Sequence, residues 1–280
     1  MHNKFRTKIF EKAALCRHFE INAFNYSKNK TIKIPIYLSA GQEFTPATLA
    51  SIILDEKKIK PLIFAQHRCH STYLAFGGDM QNLINELLGN YKLSISKGKV
   101  GSASVYSKKI GMFGHDGHMG TQVPIGVGAC FTSRKPTIIF MGDASAEEDY
   151  VLGALGWASA KKLPILFIVE DNNLSILTEK KIRRNWNMHE VARSFKMKGF
   201  NLNDCPKEIF KFQKYFFKEP MLLNINTNRL FWHSGAGKDS DDIFDRYQNE
   251  KKILGNISNK IDQKYKKEVD RIWLKQLEKL

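Results

Sequence analysis

The chain has 280 residues, 42% of them hydrophobic, and a formal net charge of +16. This length and apolar content allow a substantial core, in one large α/β domain or two small ones. No apolar run is long enough to span a bilayer and the N-terminus is polar, so we expect a cytoplasmic protein with no membrane partner. Four scattered cysteines without a Cys-x-x-Cys pair argue against structural zinc and indicate free thiols.

The positive charge raises the question of nucleic-acid binding. Lys and Arg are spread over both ends of the chain and its surface helices, with no zinc-finger, helix-turn-helix or ribonucleoprotein pattern. We therefore expect no nucleic-acid partner. The charge either reflects a lysine-rich composition or serves an anionic cofactor or an acidic partner subunit.

The first part of the chain is predicted to be mainly helical. Basic and apolar residues alternate at helical spacing over 4–20. Residues 30–37 form an extended piece, in which Pro35 argues against a central strand. The next predicted elements are a turn over 39–43, a helix over 46–54 with Pro46 in its first turn, a strand over 62–65, and a helix over 80–88 that Gly89 ends.

The second part has the alternation of strands and helices that indicates a parallel sheet. A glycine-rich loop over 97–128 leads into a buried helix over 123–129. Strands follow over 137–141, 165–169 and 221–225, and helices over 147–162, 191–195 and 206–218. A polar loop over 229–245 and a charged helical tail over 246–280 complete the chain, which we interpret as a single domain over 1–280 with helical N- and C-terminal extensions.

Polar residues follow two of these strands. Gly142-Asp143-Ala144 comes after one apolar run and Asp171-Asn172-Asn173 after the next. A strand, a crossover helix and a second strand place both sequences at the carboxyl edge of a parallel sheet. A carboxylate and an amide oxygen can there share a Mg²⁺ ion whose other ligands are diphosphate oxygens and water. Taken alone, an Asn-Asn pair after a strand is more often a simple turn, and it is Asp143 at the right distance that favours the metal site.

The wider pattern resembles the alpha subunit of the thiamine-diphosphate-dependent 2-oxo-acid dehydrogenase first component. The match runs in order from about residue 35 to residue 235. Its blocks are Tyr37 to Glu43, His67-Arg68-Cys69-His70, Gly77-Gly78-Asp79 through Gly89, Gly98 to Ser102, Gly117 to Gly126, and the metal motif that begins at Gly142-Asp143. The resemblance implies a parallel sheet flanked by helices, in the thiamine-diphosphate-binding fold.

The resemblance also implies roles for individual residues. Asp143 and Asn172 are expected to bind Mg²⁺ by their side chains and Leu174 by its carbonyl, with Asn173 as the alternative if the register differs by one. Arg68 and His233 are expected to bind the diphosphate, and His70 and His233 to act as proton donors near the reacting carbon. The remaining cofactor-binding positions that it implies are Gly117, Met119, Gly142, Ala144 and Ser145.

The family decarboxylates a 2-oxo acid on thiamine diphosphate and passes the acyl group to a lipoyl group or another acceptor. The carboxylate that helps to activate the cofactor comes from a beta subunit. The resemblance therefore implies a transketolase-like beta-type partner in a heterotetramer, and possible docking of a lipoyl carrier protein.

The chain departs from the family pattern at several positions. Ala144 replaces a Gly, which is a modest change if the backbone there is not left-handed. The Glu147-Glu148-Asp149 run places negative charge near the diphosphate unless it points away, and Gly153 and Gly156 allow close helix packing. Two alternatives therefore stay open: the N-terminal subunit of a split transketolase, and a cofactor-binding subunit with altered or lost chemistry.

Overall fold

The structure is a computed structural model that describes residues 1–238 and 243–280. Its centre is a six-stranded parallel sheet in the order β2-β1-β3-β4-β8-β7. A two-stranded antiparallel hairpin, β5-β6, follows β4 in the chain. The strands are β1 Leu62–Phe64, β2 Met112–Phe113, β3 Thr137–Gly142, β4 Ile165–Asp171, β5 Leu174–Ser175, β6 Thr178–Glu179, β7 Lys198–Asn203 and β8 Met221–Asn226.

Helices cover both faces of this sheet, as predicted for an α/β fold. They are α1 Asn3–Lys28, α2 Phe44–Ala50, α3 His70–Ala75, α4 Met80–Leu88, α5 Gln122–Ser133, α6 Asp149–Ala160, α7 Lys180–Arg183, α8 Met188–Ser194, α9 Pro206–Phe210, α10 Arg246–Leu254 and α11 Asn256–Leu277. None of the described helices is long and apolar enough to cross a bilayer.

The central strands are buried on both faces because successive side chains point to opposite sides. In β3, Ile138 and Phe140 join the larger hydrophobic cluster, which packs under α1, α2 and α11. The intervening Ile139 and Met141 join the second cluster, with α5, α6 and α8. This two-sided burial explains the continuous apolar runs of the sequence, since a parallel sheet covered by helices leaves neither face to water.

The tail packs against the N-terminal helix rather than extending away from the fold. In α11, Val269 and Trp273 are fully buried, and Tyr26 of α1 stacks on Trp273 with ring centroids 5.1 Å apart. This packing explains why α1 continues to Lys28, beyond the predicted end at residue 20. Of the tail's other apolar residues, Ile253 and Ile257 are about half exposed.

The element boundaries differ from the predictions where the signals are short. The predicted loop over 97–128 contains β2, and α2 continues as a π-helix over Ser51–Glu56. The helix predicted over 206–218 is wrong beyond Phe210: a 3₁₀ turn follows over Gln213–Tyr215, and left-handed Phe217 reverses the chain. By contrast, α4 has the predicted bounds, with Gly89 left-handed at its end. Of the predicted loop over 229–245, residues 239–242 lie outside the described residues.

Candidate functional site

A cavity of about 230 Å³ lies at the carboxyl edge of the sheet, where the ends of β1, β3 and β4 meet. Because all three strands are parallel, the polar segments that follow them share this edge. The cavity is lined by Gln66, His67, Arg68, Met119, Gly142, Asp143, Ala144, Ser145, Asn172, Leu174, Ser175, Ile176 and His233. The structure thus brings together nine of the residues that the sequence predicts for the site, all except His70 and Gly117.

Asp143 stands directly after β3, with only 2% of the residue exposed. Burial raises the pKa of its carboxyl group, and the nearby Asp171 carboxylate raises it further. The turn is fixed by Ser145, whose Oγ accepts a hydrogen bond from the Gly142 N–H at 2.9 Å. Ala144 has right-handed backbone angles (φ −72°, ψ −43°). The replacement of Gly by Ala therefore causes no strain at this position.

The segment after β4 contributes Asn172 and Leu174 to the lining of the same cavity. The Leu174 N–H donates to Asn172 Oδ1 at 3.1 Å, which orients the Asn172 side chain. Asn173 is left-handed (φ 66°) and exposed, and it is absent from the cavity lining. The geometry therefore favours Asn172 over Asn173 as the residue facing Asp143.

Two cations from α7 reach back to the strand ends. Arg183 Nη2 lies 2.5 Å from Asp143 Oδ2, and Lys180 Nζ lies 2.5 Å from Asp171 Oδ2. Arg183 also pairs with Glu147, and Arg184 Nη1 lies 3.2 Å from the same Glu147 carboxylate. These contacts balance the negative charge of Glu147 close to the site. This role of α7 was not predicted from the sequence, although Arg183-Arg184 follows the second motif closely in the chain.

Arg68 connects the strand edge to the loop that carries His233. It is 3% exposed, and its Nη1 donates to the Leu38 carbonyl at 3.1 Å. Its Nη2 lies 3.1 Å from His233 Nδ1 and donates to the His233 carbonyl at 3.0 Å. The His233 ring also lies edge-on to Tyr37, with centroids 5.6 Å apart. Arg68 therefore holds His233 at the cavity.

His67 is a further histidine in the cavity lining and is not among the predicted site residues. Its ring lies 5.6 Å from that of His233. Burial, together with the Arg68 guanidinium, lowers the pKa of His67 to about 2. His67 is therefore neutral at physiological pH, and its position immediately before Arg68 is the signal that could have identified it.

His70 lies away from the cavity, in the interior. It is fully buried, its Nδ1 lies 3.0 Å from Glu20 Oε1, and its Nε2 lies 2.9 Å from Ser102 Oγ. Both ring nitrogens thus have partners within the fold. This placement gives no support to the predicted role of His70 as a proton donor near the reacting carbon. In the structure, His70 at the start of α3 instead connects Glu20 of α1 with Ser102.

Gly117 and Met119 precede α5 at the side of the cavity. Met119 lines the cavity and is 37% exposed, and its carbonyl accepts a hydrogen bond from the Tyr150 hydroxyl. Gly117 has φ 106°, a conformation that favours glycine, and its N–H donates to His115 Nδ1 at 3.1 Å. Its role as a backbone contact to a cofactor ring stays a prediction.

The donor set fits a Mg²⁺ ion held together with a diphosphate. The buried Asp143 lines one cavity together with Asn172, whose side chain has an amide oxygen, and Leu174, which has a backbone carbonyl. No group of three or more His, Cys, Asp or Glu side chains able to hold a metal occurs among residues 1–238 and 243–280. Mg²⁺ needs no such group, because one or two protein oxygens suffice when phosphate and water complete its shell.

Comparison with known protein families matches residues 11–269 to the dehydrogenase E1 component. The pyruvate dehydrogenase E1 component subunit alpha of Rickettsia prowazekii is 27% identical over 281 residues, which cover 94% of this chain and 84% of that protein. The mitochondrial alpha subunit of Schizosaccharomyces pombe is 31% identical, over 81% of this chain and 56% of that protein. The mitochondrial alpha-1 subunit of Oryza sativa subsp. japonica is 28% identical, over 81% and 59%. The chain thus spans less than two thirds of the length of the Oryza sativa and Schizosaccharomyces pombe proteins.

Solved structures with the same fold include transketolases. A mutant transketolase from Pichia stipitis superposes with a TM-score of 0.58 at 16% identity, covering 98% of this chain and 46% of that one. The transketolase of Leishmania mexicana gives a TM-score of 0.58 at 14% identity, covering 97% and 47%. At this identity the likeness shows the fold alone, whereas the family match extends over nearly the whole sequence. The chain belongs to the dehydrogenase E1 component family.

Proposed function

We propose that the chain is the alpha subunit of a two-subunit thiamine-diphosphate-dependent 2-oxo-acid dehydrogenase. The observation that carries this proposal is the single cavity that gathers Arg68, Asp143, Asn172, Leu174 and His233 at the sheet edge. These residues are the ones that the family resemblance assigns to the metal and the diphosphate. The relatives named as pyruvate dehydrogenase alpha subunits support the reaction class.

Thiamine diphosphate, when bound, supplies the electron sink for decarboxylation of the oxo acid. Asp143, Asn172 and the Leu174 carbonyl would hold Mg²⁺, and Arg68 would bind diphosphate oxygens through its charged fork. In the structure the Arg183 guanidinium forms an ion pair with the Asp143 carboxylate. A metal ion bound at this carboxylate would balance its charge in place of Arg183. Arg68 also holds His233 in the cavity lining, where an imidazole side chain can accept or donate a proton.

We propose that a beta-type subunit completes the site. The described cavity contains histidines, an arginine and one carboxylate, and that carboxylate is the one assigned to the metal. The carboxylate that the family uses to activate the cofactor is therefore expected from the partner chain. A heterotetramer, acyl transfer to a lipoyl carrier and a cytoplasmic location are further expectations.

Calorimetry tests the cofactor half of the proposal. The chain, purified together with its beta-type partner, is titrated with thiamine diphosphate in the presence and absence of Mg²⁺. We expect Mg²⁺-dependent binding that Asp143→Ala weakens roughly 100-fold or more, because the buried metal ligand is lost. Asp149→Ala removes a nearby exposed carboxylate and is the matched control. Equal affinity of the Asp143→Ala and Asp149→Ala proteins would exclude Asp143 as a ligand.

Decarboxylation assays test the reaction itself. The same complex is supplied with thiamine diphosphate, Mg²⁺ and a panel of 2-oxo acids, and release of CO₂ is measured. Cofactor binding without turnover of any oxo acid would favour the subunit with altered chemistry. Ketol transfer between sugar phosphates would instead favour the split transketolase.

A further inference from the structure

Basic residues line the amino edge of the sheet, opposite the cofactor cavity. The segments that precede β1, β2, β3 and β4 contain no Asp or Glu over 57–61, 107–111, 133–136 and 160–164. Each segment carries at least two exposed cations. We call these eight residues the amino-edge cluster: Lys58, Lys60, Lys108, Lys109, Arg134, Lys135, Lys161 and Lys162.

Backbone hydrogen bonds hold the four segments side by side. The Leu62 N–H donates to the Pro136 carbonyl at 2.9 Å, and the Thr137 N–H donates to the Pro164 carbonyl at 3.0 Å. The Ile63 N–H donates to the Gly111 carbonyl at 2.9 Å. The cations that are far apart in sequence are therefore neighbours along one edge, because β2, β1, β3 and β4 are adjacent in the sheet.

The amino-edge cluster has no ion-pair partners among the described residues. In the part of the chain that the structure describes, none of the eight forms an ion pair. Two carboxylates precede the first segment: Asp55 pairs with Lys12 at 3.6 Å, and the exposed Glu56 occurs in none of these ion pairs. Three members, Lys58, Arg134 and Lys162, have φ between 48° and 57°. The chain thus presents positive side chains at positions where Gly or Asn would be less strained.

A cavity opens within this basic edge. Its volume is about 470 Å³, in the range of roughly 300–1,000 Å³ found for ligand sites. Its rim includes Lys58, Lys60, Lys109 and Lys135. Its apolar lining is formed by Leu54, Ile59, Pro61, Leu62, Phe76 and Ile110. An apolar cavity inside a ring of cations fits a bulky apolar group flanked by negative charges.

We propose that the amino edge binds an acidic segment of a protein partner, with a bulky apolar side chain of that segment in this cavity. An acidic protein segment is proposed because it carries carboxylates and a bulky apolar side chain on neighbouring residues, which matches the lysines and the apolar lining that surround one cavity. A protein is favoured over nucleic acid because the lining is mainly aliphatic, and Phe76 is only 4% exposed, whereas bases stack on open aromatic faces. The inference does not rest on the proposed function, and the occupant could bind together with the cofactor at the opposite edge.

Fluorescence anisotropy with a labelled peptide tests the proposal. The probe is a short peptide rich in Glu and Asp with a central Phe-Leu pair, and a second peptide carries Ser-Ser in place of Phe-Leu. The protein is the full chain, which by itself contains the whole amino edge and its cavity. We expect the Phe-Leu peptide to bind more tightly than the Ser-Ser peptide, and both to weaken as ionic strength rises.

Two kinds of variant distinguish peptide binding at the amino edge from a general attraction to the positive charge of the protein. The combined changes Lys60→Gln, Lys109→Gln and Lys135→Gln should lower the affinity for the Phe-Leu peptide about tenfold, since each exposed lysine–carboxylate pair contributes modestly. The matched control changes three exposed lysines of α11: Lys260→Gln, Lys267→Gln and Lys275→Gln. We expect at most about a twofold effect from this control. Ile59→Trp keeps every charge and fills the cavity, so it should remove the preference for Phe-Leu over Ser-Ser; thermal melts verify that each variant is folded.

The proposal is overturned if the two lysine variants lose equal affinity, or if wild type binds both peptides equally. It is also overturned if an oligouridylate or phosphatidylglycerol vesicles bind more tightly than the Phe-Leu peptide and lose affinity only in the edge variant. These two outcomes would assign the edge to nucleic acid or to a lipid surface.

Discussion

Arg17 forms buried ion pairs, and replacing it is expected to lower the free energy of unfolding. Its side chain is 6% exposed, forms an ion pair with the fully buried Glu43, and lies 2.7 Å from Asp245 Oδ2. Arg17→Met keeps much of the apolar volume but leaves the Glu43 carboxylate without its cation. Removing one partner of a buried pair costs about 3–5 kcal/mol, because the other charge stays desolvated. The melting temperature should fall by roughly 6–15 °C.

The loss of stability caused by Arg17→Met is expected to depend on pH. Burial raises the pKa of Glu43 from its ordinary value of 4.5 to about 7, although Arg17 lowers it. The folded state therefore holds the proton more tightly than the unfolded state, and the stability from this group falls as pH rises from 4.5 through 7. Without Arg17 the folded-state pKa rises further. The Arg17→Met penalty should therefore be largest near pH 8 and smaller near pH 5.

Urea unfolding followed by circular dichroism at both pH values measures this penalty. Lys266→Met is the control, since it removes an exposed partner of Asp270 and should cost less than about 1 kcal/mol at either pH. Adding Glu43→Gln to Arg17→Met should recover part of the loss at high pH. An Arg17→Met penalty no larger than the control's, or one that does not shrink towards pH 5, would refute the reasoning.

Three further measurements examine the packing. Gly41→Ala should lower the free energy of unfolding by about 2 kcal/mol or more, because Gly41 has φ 96° and an added Cβ would lie 2.2 Å from the Asn228 carbonyl oxygen. The control Gly153→Ala lies in open space on α6 and should instead stabilise the fold by about 1 kcal/mol. Equal urea midpoints for the two variants would contradict this prediction. Trp273→Ala should cost about 3–5 kcal/mol, because it removes a fully buried ring that packs α11 on α1; a loss below about 1 kcal/mol in thermal unfolding would show that the tail is not part of the cooperative unit. With a thiol-specific dye, Cys205 should react first, since Cys16, Cys69 and Cys130 are buried and burial raises the pKa of their thiols; fast reaction of Cys69 in the folded protein would contradict this.

Local signals in the sequence located β1, β3, β4 and β8 and the motifs that carry the site, but not β7. The apolar runs before Asp143 and Asn172 are continuous because both faces of β3 and β4 are covered, and parallel pairing then requires their ends to meet. The bounds of α4 were predictable because Asp79 caps its start and Gly89 ends it in the left-handed conformation. Short elements gave no comparable signal: β2 has two residues, and its strand state comes from pairing with β1.

The sequence by itself determined the fold class and the residues that follow the strands, because both depend on hydrophobic period and on motifs that are contiguous in the chain. Only the tertiary structure decided which side chains meet. It brought Arg183 to Asp143, separated by 40 positions, placed His70 against Glu20 in the interior, and aligned the amino-edge cluster along adjacent strands. Such encounters depend on strand order and helix packing, which bring together residues that no local pattern connects.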